Sequence, residues 1–177
     1  ISNAQREELK SIALRKKDSK RIGKYKARVA SLPEIERKFV VVIGIDQYAD
    51  KAIPSLDNAI SDASAVSQLF ADKLGYEVQV IKNATRAEII KTINQLAAEV
   101  EINDSVVVYY AGHGYLNRKT GTGYWIPADA SSKDPSTWIS NNSISEMLAE
   151  IRSKQMVMIS DSCYSGSLTK EQGVGVS

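Results

Sequence analysis

The chain has 177 residues with one cysteine, one histidine and four prolines, and each scarcity removes a class of protein. One cysteine excludes an internal disulfide and fits a reducing compartment, so a cytoplasmic setting is expected. One cysteine with one histidine is too few for a structural zinc site without several carboxylates. No apolar run approaches the length of a membrane span and no signal-type h-region is visible near the start, so no membrane partner is expected. No G-x-G-x-x-G follows the first apolar run, which exits through Gly44-Ile45-Asp46-Gln47-Tyr48, and there is no P-loop, so nucleotide binding loses its main support. A cysteine phosphatase needs an arginine six residues beyond its nucleophile; here that position is Thr169. Internal repeats and low-complexity tracts are also missing.

Net charge is nearly absent as well, at +2, but the total hides an asymmetry. Residues 1–38 hold 12 Lys/Arg against 5 Asp/Glu, net +7, and residues 39–177 hold 11 against 16, net −5. The first 37 residues read as a basic helical segment, a pro-segment or docking arm, with one or two surface helices interrupted near Gly23 and a joint at Leu32-Pro33. Such a face also suits ordinary solvation, and Tyr25 is its only aromatic residue for stacking on a base. Nucleic acid is therefore not the expected partner.

From residue 38 the character changes. "KFVVVIGID" is β-branched and almost wholly apolar, as a strand covered on both faces should be. Ala59, Ile60, Ala63, Val66, Leu69 and Phe70 form a helical stripe that ends at Gly75. "YEVQVI" is a second strand. Thr85 and Glu88 make a capping box for a helix that turns Ile89, Ile93, Leu96 and Val100 inward. "DSVVVYYAG" is a third strand. Ser143 to Glu146 reads as another capping box, and "QMVMIS" as a fourth strand. This order predicts an α/β fold with a mostly parallel sheet and helices on both faces. Residues 115–142 read as a long loop with "YWIPAD" as a possible short strand; Tyr124, Trp125 and Trp138 there suit either a substrate groove or the core.

Chemistry in such sheets gathers at the carboxyl ends of the strands. His113 ends the third strand and Cys163 follows the fourth, 50 positions later. A lone cysteine is commonly a buried small hydrophobe, and a lone histidine a hydrogen-bonded structural group. Their joint placement at one sheet edge, with Gly and Ser around both, points instead to a nucleophile and its base. The glycines flanking His113 let backbone pass close to a substrate, and the N–H groups of Gly114 and Cys163 are candidates for an oxyanion hole.

"VVIGIDQY", "YYAGHG" and "ISDSCYSG", in this order and spacing, resemble the caspase-like cysteine peptidases, in particular the metacaspase, paracaspase and bacterial orthocaspase branch. The resemblance covers about residues 38 to 168. It implies a caspase-like three-layer sandwich, with residues 38–177 as the large-subunit portion of a catalytic domain. It implies His113 as general base and acid and Cys163 as nucleophile, a spacing that matches the known caspase pattern.

Where caspases proper carry Gln-Ala-Cys, this chain has Asp161-Ser162-Cys163. Residues two apart on a strand point the same way, so Asp161 should share the cleft with the thiol. The resemblance adds Asp62, in "LDNAISDA", as a second acid of the same pocket; Asp57 lies close to it in sequence, and Asp46 is a rim candidate. Two carboxylates suit an arginine guanidinium, and lysine with less geometric match. The implied substrate is a protein or peptide with a basic residue before the cut.

The family's further strands come from a small subunit of the same precursor, an expected partner alongside a regulatory protein or a second copy. Lys170 stands in the linker where such peptidases process themselves, which suits a zymogen. Many metacaspases bind calcium through an acidic stretch; "YLNRKTGTGYW" has none, so no cofactor and no calcium dependence are expected. Tyr164 replaces a histidine common in relatives. The alternative reading keeps the fold but makes the protein a non-catalytic scaffold or regulatory partner.

Overall fold

β1 (Lys38–Gly44) and β3 (Ser105–Ala111) are buried along nearly their whole lengths and pair in parallel, Lys38 opposite Ser105 and Gly44 opposite Ala111. The structure is a computed structural model that describes residues 15, 17–24, 34–162 and 164–165. The chain divides into two units, residues 1–34 and 35–177. In the first, residues 17–24 are helical and exposed, and the helix carries through Gly23. Gly23 itself does not break the helix, since an exposed helical glycine weakens a helix by about 1 kcal/mol; residues 25–33, where the rest of the expected interruption falls, lie outside the described residues.

In the second unit, β2 (Glu77–Lys82) and β7 (Gln155–Asp161) flank the central pair in the order β2-β1-β3-β7, all parallel. Strand side chains alternate between faces. Val40, Val42, Val107, Tyr109 and Ala111 pack with Ala59 and Ala63 of α1 (Ala59–Leu74) on one face. On the other, Phe39, Val41, Ile43, Val106, Val108 and Tyr110 join Ile89, Ile93 and Leu96 of α2 (Arg86–Glu99), and Ile144 and Leu148 of α3 (Asn141–Ala149). The result is the expected α/β fold, a parallel sheet between two helical layers.

Local chemistry sets the ends of these helices. Gly75 closes α1 in the left-handed region at φ 67°, and Thr85 and Glu88 form the reciprocal capping box of α2. The cap of α3 differs from expectation. Ser140, not Ser143, is the N-cap; its Oγ accepts from the Ser143 amide at 3.0 Å. Ser140 leaves a strand in extended conformation, as an N-cap requires, whereas Ser143 already lies inside the first turn. Gly44 permits the close approach of α1 to β1, since a Cβ there would sit 2.8 Å from Ala63 Cβ and 3.0 Å from Ala59 O.

The expected long loop contributes three short strands to a second small sheet. β4 (Gly114–Asn117), β5 (Thr122–Trp125), β6 (Ile139–Ser140) and β8 (Tyr164–Ser165) run in the order β6-β5-β4-β8. Strands of two to four residues are too short for alternation to reveal them. Trp125 and Trp138 are buried, and Tyr110 stacks on Trp125 at 4.3 Å, so both tryptophans belong to the core and not to a groove wall. Neither edge strand of the main sheet has a buried residue, and β7 is the more apolar of the two: Met156, Val157, Met158 and Ile159 alternate between its two faces, yet each is at least 36% exposed.

Candidate active site

His113 leaves β3 just before β4 begins, and its peptide is held from both sides by buried phenols. The His113 amide donates to the Tyr48 hydroxyl at 2.9 Å, and the Tyr110 hydroxyl donates to the His113 carbonyl at 2.8 Å. The imidazole lies 5.0 Å from the Tyr48 ring, centroid to centroid. Burial raises the Tyr48 phenol well above its ordinary pKa, although the His113 hydrogen bond acts against the shift. Tyr48 therefore remains a neutral hydroxyl. Gly112 has a steric reason of its own, because a Cβ there would come within 2.7 Å of the Tyr110 oxygen.

Nε2 of His113 lies 2.8 Å from the Pro54 carbonyl oxygen. A carbonyl can only accept, so Nε2 carries the hydrogen of the neutral ring and the lone pair resides on Nδ1.

The backbone register brackets this histidine. At the end of β7, Asp161 pairs with Ala111; at the start of β8, Tyr164 pairs with Gly114. The residues two before and one after position 163 thus lie beside those two before and one after His113. Cys163 itself lies outside the described residues, as do the side chain of Tyr164 and all of Lys170.

Asp62 and Asp161 come together. Both line one cavity of about 540 Å³ with Leu56, Asp57, Ala111 and His113. Asp62 sits in the first turn of α1 and Asp161 at the carboxyl end of β7, where the Tyr109 hydroxyl donates to its Oδ2 at 3.2 Å. Asp57 shares the cavity; Asp46 does not line it. Oδ1 of Asp46 accepts from the Ile60 amide at 3.1 Å and so caps the start of α1, while Asn83 holds the Asp46 and Gln47 amides. A comparable cavity, about 510 Å³, lies at the amino ends of β1 and β2 among Phe39, Glu77 and Glu99, with neither cysteine nor histidine among its described lining residues.

Pro54, Tyr48, Tyr109 and Tyr110 were not legible as site residues in the sequence. The three tyrosines lie within the quoted motifs, each with a polar tip on an otherwise apolar segment. That was the available signal.

Among the described residues, no group of three or more His, Cys, Asp or Glu side chains is placed to hold a metal ion, and no helix is long and apolar enough to cross a membrane.

A family model described as "Caspase domain" matches residues 37–176. Among solved structures, a structural-genomics target protein from Geobacter sulfurreducens is similar in fold, with a TM-score of 0.62 and 20% identity. The alignment covers 75% of this chain and 52% of that one, so the chain spans about half of that protein's length. No curated protein matches the sequence.

Proposed function

The chain belongs to the caspase-domain family, and on that premise we propose that it is a cysteine endopeptidase of the metacaspase, paracaspase and orthocaspase branch, cutting polypeptides after arginine or lysine. The observation that carries this reading is the register around His113. The pairing of Ala111 with Asp161 and of Gly114 with Tyr164 supports the reading that Cys163 and His113 act on one substrate.

In the proposed mechanism, Nδ1 of His113 takes the Cys163 thiol proton, since Nε2–H is engaged by Pro54. The sulfur attacks the scissile carbonyl carbon, and the N–H groups of Gly114 and Cys163 stabilise the oxyanion. The C–N bond breaks as the leaving amine takes the proton from Nδ1. Water, deprotonated by His113, then hydrolyses the thioester and regenerates the thiol.

Asp62 and Asp161 bind the basic side chain before the cut. Among the described residues, their shared cavity has no lysine or arginine in its lining, which supports a cationic guest as charge partner. The uncovered faces of β7 support docking of a further segment, proposed to be the small-subunit portion of the same precursor. Residues 38–177 are then the large-subunit portion, and residues 1–37 a pro-segment or docking arm. Processing near Lys170 is the proposed activation step, and the cytoplasm the proposed setting.

The test is turnover of an Arg-ending fluorogenic peptide by the wild type and by Cys163→Ala. Activity lost in the variant, with covalent capture of an arginyl acyloxymethylketone at Cys163 in the wild type, supports the reading. Hydrolysis retained by Cys163→Ala would sink it.

A further inference from the structure

The hydrogen bond from Tyr109 to Asp161 has no part in the covalent chemistry just described. Strand geometry explains how the two residues meet. Ala111 pairs with Asp161, and Tyr109 lies two residues before Ala111 on β3, so all three face α1. Ala59 and Ala111, which line the cavity, carry only methyl groups. The Tyr109 side chain is 6% exposed, yet its hydroxyl reaches a carboxylate of the cavity wall.

We propose that Tyr109 is a positioning residue for substrate selection: its O–H fixes Asp161 through Oδ2, so that the carboxylate receives a guanidinium in preference to an ammonium group. This deepens the peptidase reading and rests on it.

Three physical arguments carry the assignment. A free carboxylate at a strand end rotates about its last torsion, and a planar, forked guanidinium loses most from that freedom. A lysine ammonium is a point charge and tolerates a rotated partner. The donor is also neutral: a lysine or arginine in place of Tyr109 would hold Asp161 equally well but would cancel the charge that attracts the substrate. Lastly, burial pushes the Tyr109 phenol up to about 12, with the charge and hydrogen bond of Asp161 and the charge of Asp62 adding to it. The O–H is therefore retained across the pH range in which a thiolate peptidase works. One hydrogen bond to a carboxylate leaves its other acceptor positions open to the substrate.

The experiment compares kcat and KM on matched Arg-ending and Lys-ending peptides for wild type, Tyr109→Phe, Asp161→Asn and the double variant. For Tyr109→Phe, KM for the Arg peptide should rise roughly 3- to 30-fold, less than the roughly 10- to 150-fold that direct loss of a hydrogen bond to a charged group spans, because the tyrosine acts through Asp161 and not on the substrate. The Lys peptide should be affected less, so the Arg-to-Lys ratio of kcat/KM falls, and kcat should fall by a smaller factor than KM rises. In the Asp161→Asn background, adding Tyr109→Phe should leave the ratio unmoved, because both act through one carboxylate. A merely structural tyrosine would depress both peptides alike.

An unaltered Arg-to-Lys ratio in Tyr109→Phe, with wild-type turnover that Cys163→Ala abolishes, overturns the role of Tyr109 and leaves the peptidase reading intact. Absence of wild-type turnover on every basic peptide overturns both.

Discussion

The Pro54 carbonyl oxygen and Nε2 of His113, 59 positions apart in sequence, are 2.8 Å apart in space. An imidazole anchored in this way has one nitrogen committed to the protein and one available for proton transfer. Because His113 is the sole histidine, its ring signals are unambiguous. Long-range proton–nitrogen NMR of the neutral ring should show Nε2 protonated and Nδ1 bare. The opposite tautomer would remove Nδ1 as the proposed base.

Tyr48→Phe probes the other hold on this histidine. The variant keeps the ring that faces the imidazole but leaves the His113 amide without its acceptor. A buried donor left unpaired costs about 1–3 kcal/mol. Urea unfolding should register that loss, and kcat should fall more than KM rises, since the displaced group acts on the thiol and not on the bound side chain. Wild-type stability together with wild-type kcat would show that the hydroxyl supports neither fold nor base.

Asp62 and Asp161 reach the same cavity from different elements, a helix and a strand. Asp62→Asn and Asp161→Asn should each raise KM for Arg-ending peptides roughly 10-fold or more, the effect of losing a charge-assisted hydrogen bond, with smaller effects on kcat. A steady-state comparison that finds either variant equal to wild type removes that acid from the binding pocket.

How much of this was legible beforehand follows from the length scale of each signal. The four strands of the main sheet and the inward stripes of α1 and α2 repeat over six to sixteen residues, long enough for periodicity to show through. The second sheet is built from strands of two to four residues whose pairing is decided by tertiary contacts. Asp46 shows the same limit for single residues. At the end of a strand it had the chemistry of a rim acid, but its acceptor, as the structure shows, faces the Ile60 amide 14 positions on. The tyrosines divide similarly: Tyr109 and Tyr110 are adjacent and chemically identical, yet alternation sends one to Asp161 and the other to His113.

A last prediction concerns stability away from the site. The Asp104 side chain is fully buried at the start of β3, paired with Arg37 Nη2 at 2.7 Å and accepting from the Glu101 amide at 2.8 Å. Burial alone would raise its carboxyl, but the Glu101 amide and Arg37 outweigh that effect, and the net shift is downward from 3.8. A carboxyl with a lowered folded pKa stabilises the protein above its unfolded value and loses that contribution as pH falls through the folded one. Asp104→Asn, similar in shape but uncharged, should therefore be less stable than wild type at pH 7, by about 2 kcal/mol for a hydrogen bond to a charged group. At an acidic pH below 3.8, low enough for the wild-type carboxyl to take up its own proton, the difference should narrow. Urea melts of both proteins at the two pH values test this. A gap of the same size at both would mean that Asp104 stabilises the fold through shape and neutral hydrogen bonding, not through its charge.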